Sequence, residues 1–127
     1  MKVALAAIAL VLQMLAFCNA YAHGDHKPKH GGIMGRGDDT ISVELVMEKG
    51  TATLYIEDEG GAPLATEEVK GTLSLTTPGR PAQERNLIPA GANKLTAKDL
   101  APDPGDRLRA RIILPNGDEA SAIFSFR

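Results

Sequence analysis

Leu108-Arg109-Ala110-Arg111-Ile112-Ile113-Leu114-Pro115-Asn116-Gly117-Asp118-Glu119-Ala120-Ser121-Ala122-Ile123-Phe124-Ser125-Phe126 decides the fold class of this 127-residue chain. Leu108, Ala110, Ile112 and Leu114 occupy every second position before the Pro-Asn-Gly-Asp tetrad, and Ala120, Ala122, Phe124 and Phe126 do so after it. A period of two places one set of side chains on one face of a pleated strand, so both runs read as half-buried strands. Asn116-Gly117 suits a hairpin turn with positive φ at both central residues.

The same period recurs upstream. Ile41, Val43, Leu45 and Met47 point one way, while Ser42, Glu44 and Glu48 point the other. Lys49-Gly50 can turn this strand into Ala52, Leu54 and Ile56, whose partners Thr51, Thr53 and Tyr55 face outward. Glu59-Gly60-Gly61-Ala62-Pro63 breaks the run, and Val69 to Thr76 resumes alternation through Gly71, Leu73 and Leu75. Thr77-Pro78-Gly79-Arg80-Pro81 reads as a turn. Gln83 to Ile88 and Asn93 to Ala97 read as shorter strands flanking Pro89-Ala90-Gly91-Ala92. Ala101-Pro102-Asp103-Pro104-Gly105 could close a short helical turn at Thr96 to Leu100, but no apolar run after residue 22 keeps helical spacing. The expected fold is all-β: a small antiparallel, immunoglobulin-like β-sandwich of about seven strands, with a small barrel as the alternative.

Ahead of this domain the chain begins as an export signal does. Lys2 supplies positive charge, Val3 to Phe17 is apolar except for Gln13, and Ala20-Tyr21-Ala22 offers the small residues of a cleavage site. The expected organisation is a signal peptide over 1–22, a flexible His/Gly-rich arm over 23–39, and the sandwich over 40–127, in a periplasmic protein. The apolar run is too short for a comfortable membrane span, and none is expected after the signal is removed. The one cysteine, Cys18, leaves with it, so the mature chain has no disulfide and no thiolate ligand.

Composition narrows the function. The formal charge is −2 with both signs mixed along the chain, which offers no basic patch for nucleic acid. Tyr55, Phe124 and Phe126 are the only aromatics beyond the signal, so stacking platforms for bases are not expected. What stands out is the distribution of histidine. All three lie in His23-Gly24-Asp25-His26-Lys27-Pro28-Lys29-His30, and the domain body has none.

That clustering points to a metal. If cleavage follows Ala22, His23 presents its α-amine and ring Nδ1 to one ion, a pair of nitrogens suited to copper(II). A free α-amine titrates near ~7.7–8.0 and a free imidazole near ~6.5, so a metal can displace protons from such groups at neutral pH. Asp25 and His26 can complete a tetragonal set. Pro28 disfavours helix at Lys27, so His26 and His30 are not a helical pair and would converge only through a bent loop. Met34 offers a thioether suited to copper(I), although Ile33-Met34 also reads as an apolar plug on the sandwich edge. The candidate ligands are therefore His23, Asp25, His26, His30 and Met34, for copper or zinc or another divalent transition metal. Glu57-Asp58-Glu59 before Gly60-Gly61, together with Asp38-Asp39, offers carboxylates for a hard ion. The spacing lacks the D-x-D-x-D pattern of an EF-hand loop and reads rather as a solvated hairpin tip, which becomes a second shell if the arm folds back onto it. An enzyme is not expected, since no body histidine can serve Ser42, Ser74, Ser121 or Ser125 as a base.

His30-Gly31-Gly32, Leu54-Tyr55-Ile56-Glu57-Asp58-Glu59-Gly60 and Pro89-Ala90-Gly91-Ala92-Asn93-Lys94-Leu95 together give the chain a family likeness. It resembles small periplasmic proteins associated with the copper and cobalt-zinc-cadmium RND efflux systems of Gram-negative bacteria. The resemblance implies metal carriage or sensing, and a periplasmic adaptor subunit of an RND efflux pump as partner. Glu59 departs from the histidine expected in many relatives. A looser likeness is to CopC-type copper-resistance proteins, which complete their copper site with a body histidine that this chain lacks. The function expected is buffering or delivery of a heavy-metal ion to an efflux system. The alternative is a sandwich that acts as a protein-interaction module through its edge strands.

Overall fold

The computed structural model describes residues 26–37 and 39–127. The expected signal peptide, His23 and Asp25 lie outside the described residues. Nine strands follow one another: β1 (Ile33–Met34), β2 (Arg36–Gly37), β3 (Ile41–Glu48), β4 (Thr51–Asp58), β5 (Lys70–Thr76), β6 (Gln83–Pro89), β7 (Lys94–Ala97), β8 (Arg107–Ile113) and β9 (Glu119–Ser125). The protein is all-β, every pairing is antiparallel, and the described residues contain no helix.

The strand order is β1-β3-β4-β7-β6-β5-β8-β9-β2. Relettered A to G, the seven longer strands run A-B-E-D-C-F-G, with β6 (D) shared between an A-B-E half and a C-F-G half, as in an immunoglobulin-like sandwich. Two features join the sheets into a nearly closed, flattened barrel. Strand β6 pairs with β5 through Gln83 to Leu87 and then with β7 through Ile88 and Pro89. On the opposite side, β1 pairs with β3, β2 pairs with β9, and between them the Gly35 amide donates to the Val43 carbonyl at 2.9 Å. Residues 29–37, part of the arm expected to be flexible, are thus laid along the domain. The two short strands of this arm account for the difference between the seven strands expected and the nine present.

Alternation decides the core because each sheet has one covered face. Val43, Leu45, Leu54, Ile56 and Leu95 of one sheet meet Leu73, Leu108, Ala110, Ile112 and Phe124 of the other, all of them buried. Phe124 is among the largest of these side chains and only 1 % exposed. Phe124→Ala is expected to cost about 3–5 kcal/mol, because the void cannot collapse between two hydrogen-bonded sheets. Urea unfolding would read this as a lower midpoint at unchanged slope.

The turns correct two expectations. At the Pro-Asn-Gly-Asp tetrad only Gly117 has positive φ, and the Gly117 amide closes a four-residue turn on the Leu114 carbonyl at 2.9 Å. Pro115 holds the φ that favours the second position of an ordinary turn, so the turn starts one residue early and Gly117 becomes the left-handed residue after it. Positive φ at both central residues occurs instead at Lys49 and Gly50, between the paired Glu48 and Thr51. No helical turn forms at Thr96 to Leu100. Strand β7 occupies Lys94–Ala97, Asp99 takes φ 61°, and the Leu100 amide donates to the Gly50 carbonyl, seating Leu100 in the core.

The phrases Leu54 to Gly60 and Pro89 to Leu95 lie against each other. Ile56 and Asn93 exchange hydrogen bonds, the Ile56 amide donating to the Asn93 carbonyl and the Asn93 side chain donating back to the Ile56 carbonyl. Asp58 accepts from the Ala62 amide and fixes the turn through Gly60 and Gly61. These residues hold β4 and β7 in place, and so position Tyr55 and Glu57 on the outer face.

Candidate functional site

The site is assembled around Glu44, an outward-pointing residue of β3 that is nevertheless only 4 % exposed. Its carboxylate accepts hydrogen bonds from the amides of Lys29 at 2.8 Å, His30 at 2.9 Å and Gly32 at 2.8 Å, and lies 3.0 Å from His30 Nδ1. Gly31 makes the curl possible at φ 71°, and Gly32 is needed because a Cβ there would stand 2.2 Å from the Leu45 carbonyl oxygen. Consecutive amides turned inward form a nest for an anion, and here the anion is the protein's own carboxylate. Ser42 and Glu44 point outward as the alternation predicts, yet both are buried, because the arm lies over this face.

His30 is held by two further constraints. Its ring stacks on Tyr55, the cross-strand partner of Glu44, with centroids 3.6 Å apart and planes 7° from parallel. An ionised carboxylate can only accept, so Nδ1 carries the proton and Nε2 of the neutral ring keeps its lone pair. The side chain of His30 is 42 % exposed. Beside it the Lys29 ammonium pairs with the buried carboxylate of Glu57.

Burial alone would raise the Glu44 pKa, but the His30 ring and the amides of Lys29, Gly32 and His30 outweigh it and hold the group below the ordinary carboxylate range. A carboxyl group with a depressed folded-state pKa contributes stability above its unfolded value, and loses it as pH falls through the folded value. Stability from this contact is therefore full above about pH 4.5 and declines below it. Glu44→Gln is expected to flatten that acid limb in urea unfolding measured as a function of pH.

The remaining candidates separate. His26 and Met34 line one cleft of about 430 Å³ with Asp39, Ser42 and Glu59, where β3 begins and β4 has ended. His30 is not in its lining. Thus the fold brings His26 and Met34 together at the cleft and holds His30 outside it, over Tyr55. Among the described residues, no three His, Cys, Asp or Glu side chains already stand together as a metal cage. Sequence reasoning missed Glu44 and Tyr55, whose only signal was a carboxylate and a ring on the outward faces of consecutive strands. Glu59, which the sequence marks as part of a second shell for a folded-back arm, lines the cleft together with Asp39 of the arm itself.

Fold and site together define a two-sheet antiparallel domain with an N-terminal strap that presents an oriented histidine. Compared with protein-family models, with curated proteins and with solved structures, the chain matches none.

Proposed function

We propose that this protein is a periplasmic, non-enzymatic carrier that buffers copper, zinc or a similar divalent ion, or delivers it to the adaptor subunit of an RND efflux pump. The observation that carries this reading is the Glu44–His30 pair. Histidines that ligate metals characteristically donate their second ring nitrogen to a carboxylate, which fixes the tautomer and raises the basicity of the ligating nitrogen. Glu44 stands in that relation to His30, and stacking on Tyr55 holds the ring plane. One oriented nitrogen does not hold an ion by itself. The rest of the donor set comes from the N-terminal segment, His23, Asp25 and His26, with Met34 at the cleft available for copper(I).

Calorimetric titration of the exported chain with zinc(II) and copper(II) tests the reading. Saturable binding of one ion is expected, weakening as pH falls through the imidazole range near ~6.5, where protons compete for the nitrogens. Uptake no tighter than that of an unrelated protein without a histidine tail would sink the proposal. If the α-amine of His23 is a ligand, one residue added ahead of it should weaken copper(II) binding and leave the fold unchanged.

A further inference from the structure

We infer that ion capture at His30 and closure of the two sheet edges are one linked event, with residues 29–37 acting as a strap that a bound ion holds shut. This rests on the metal reading above and adds a conformational consequence to it. The strap is gripped along its length. At one end the amides of Lys29, His30 and Gly32 close on Glu44. Next, β1 lies on the edge of β3, and β2 lies on the edge of β9.

Between these points there is no room for a side chain. A Cβ on Gly35 would stand 2.8 Å from the Ala122 side chain and 2.9 Å from that of Phe124, and one on Gly37 would stand 2.1 Å from the Ser121 carbonyl oxygen. The positions that make the strap fit the sheets are five and seven residues from His30, yet they share its docked state.

The orientation of the His30 ring exists only in that state, since both Glu44 and Tyr55 belong to the sheet. A ligand that prefers one of two conformations shifts the population toward it. With free ion at a hundred times its Kd for the docked form and no affinity for the open one, the open population falls about a hundredfold. Opening would strip β1 from β3 and β2 from β9 and leave two edges with unpaired backbone groups, the surface to which an extended segment can add. Metal loading thereby covers the two edges, and loss of the ion exposes them.

Hydrogen exchange of the full chain, with and without saturating zinc(II), tests the linkage alongside a zinc titration of the wild type and of Gly35→Val. The expected result is slower exchange over residues 33–37, including the Gly35 amide, and along the β3 and β9 edges when zinc is bound. Gly35→Val removes no donor atom, and if it leaves a tenth of molecules docked it should raise the apparent Kd about tenfold. Zinc binding that leaves exchange in the strap unchanged would overturn the linkage while the metal reading stands. So would equal zinc affinity in a folded Gly35→Val. No zinc binding by the wild type would overturn both, and the exchange comparison on the wild type decides the matter even if the valine variant fails to fold.

Discussion

Glu44→Ala is expected to release the strap and lower zinc(II) or copper(II) affinity by about 10–100-fold, although Glu44 itself is not a proposed ligand. Three amides and one ring nitrogen lose their common acceptor. A donor left buried without a partner costs about 1–3 kcal/mol, so the strap lifts into water instead of staying in place. The loss should therefore equal the docking free energy of the strap, with the core strands intact. Unfolding of the apoprotein measures that loss, and calorimetry measures the fall in affinity. Glu44→Gln should fall between wild type and alanine, since the amide keeps one acceptor oxygen and turns an NH2 group toward the donors.

Replacing His23, His26 and His30 together by alanine is expected to abolish specific metal binding while barely disturbing the core. His26 and His30 are exposed, and the buried set between the sheets contains no histidine. The effect should not divide equally among single variants. His30→Ala removes a ring held by Glu44 and Tyr55 and frees Tyr55 of its stacking partner, whereas His26→Ala removes a residue of the cleft. Titration of the single variants would rank His30 first. Retention of full affinity by the triple variant would place the ion elsewhere.

The strands were legible because burial acts on alternate residues. Val43, Leu45, Leu54, Ile56, Leu108, Ala110 and Phe124 occupy the faces that their spacing predicts, and the core follows. What escaped the sequence depends on contacts between distant segments. Gly35 and Gly37 look like residues that oppose regular structure, but the absence of their side chains lets the strap lie against Ala122, Phe124 and Ser121. A glycine read alone does not reveal what it lies against. Glu44 followed the outward alternation correctly, and its burial is decided by residues 29–32 folding back over it. The Asn-Gly hairpin was placed correctly and given the wrong turn, because Pro115 shifts the start by one residue. The three histidines were visible from composition, but the division of His26 and His30 between a cleft and a stacked, carboxylate-held position comes from topology.

The central claim concerns one nitrogen, and the imidazole nitrogen NMR spectrum of His30 addresses it most directly. In the metal-free chain at neutral pH, the neutral ring should carry its proton on Nδ1, with Nε2 unprotonated, and added zinc(II) should shift the Nε2 resonance. A ring protonated on Nε2, or an Nε2 signal unmoved by saturating zinc, would contradict the assignment of His30 as an oriented ligand.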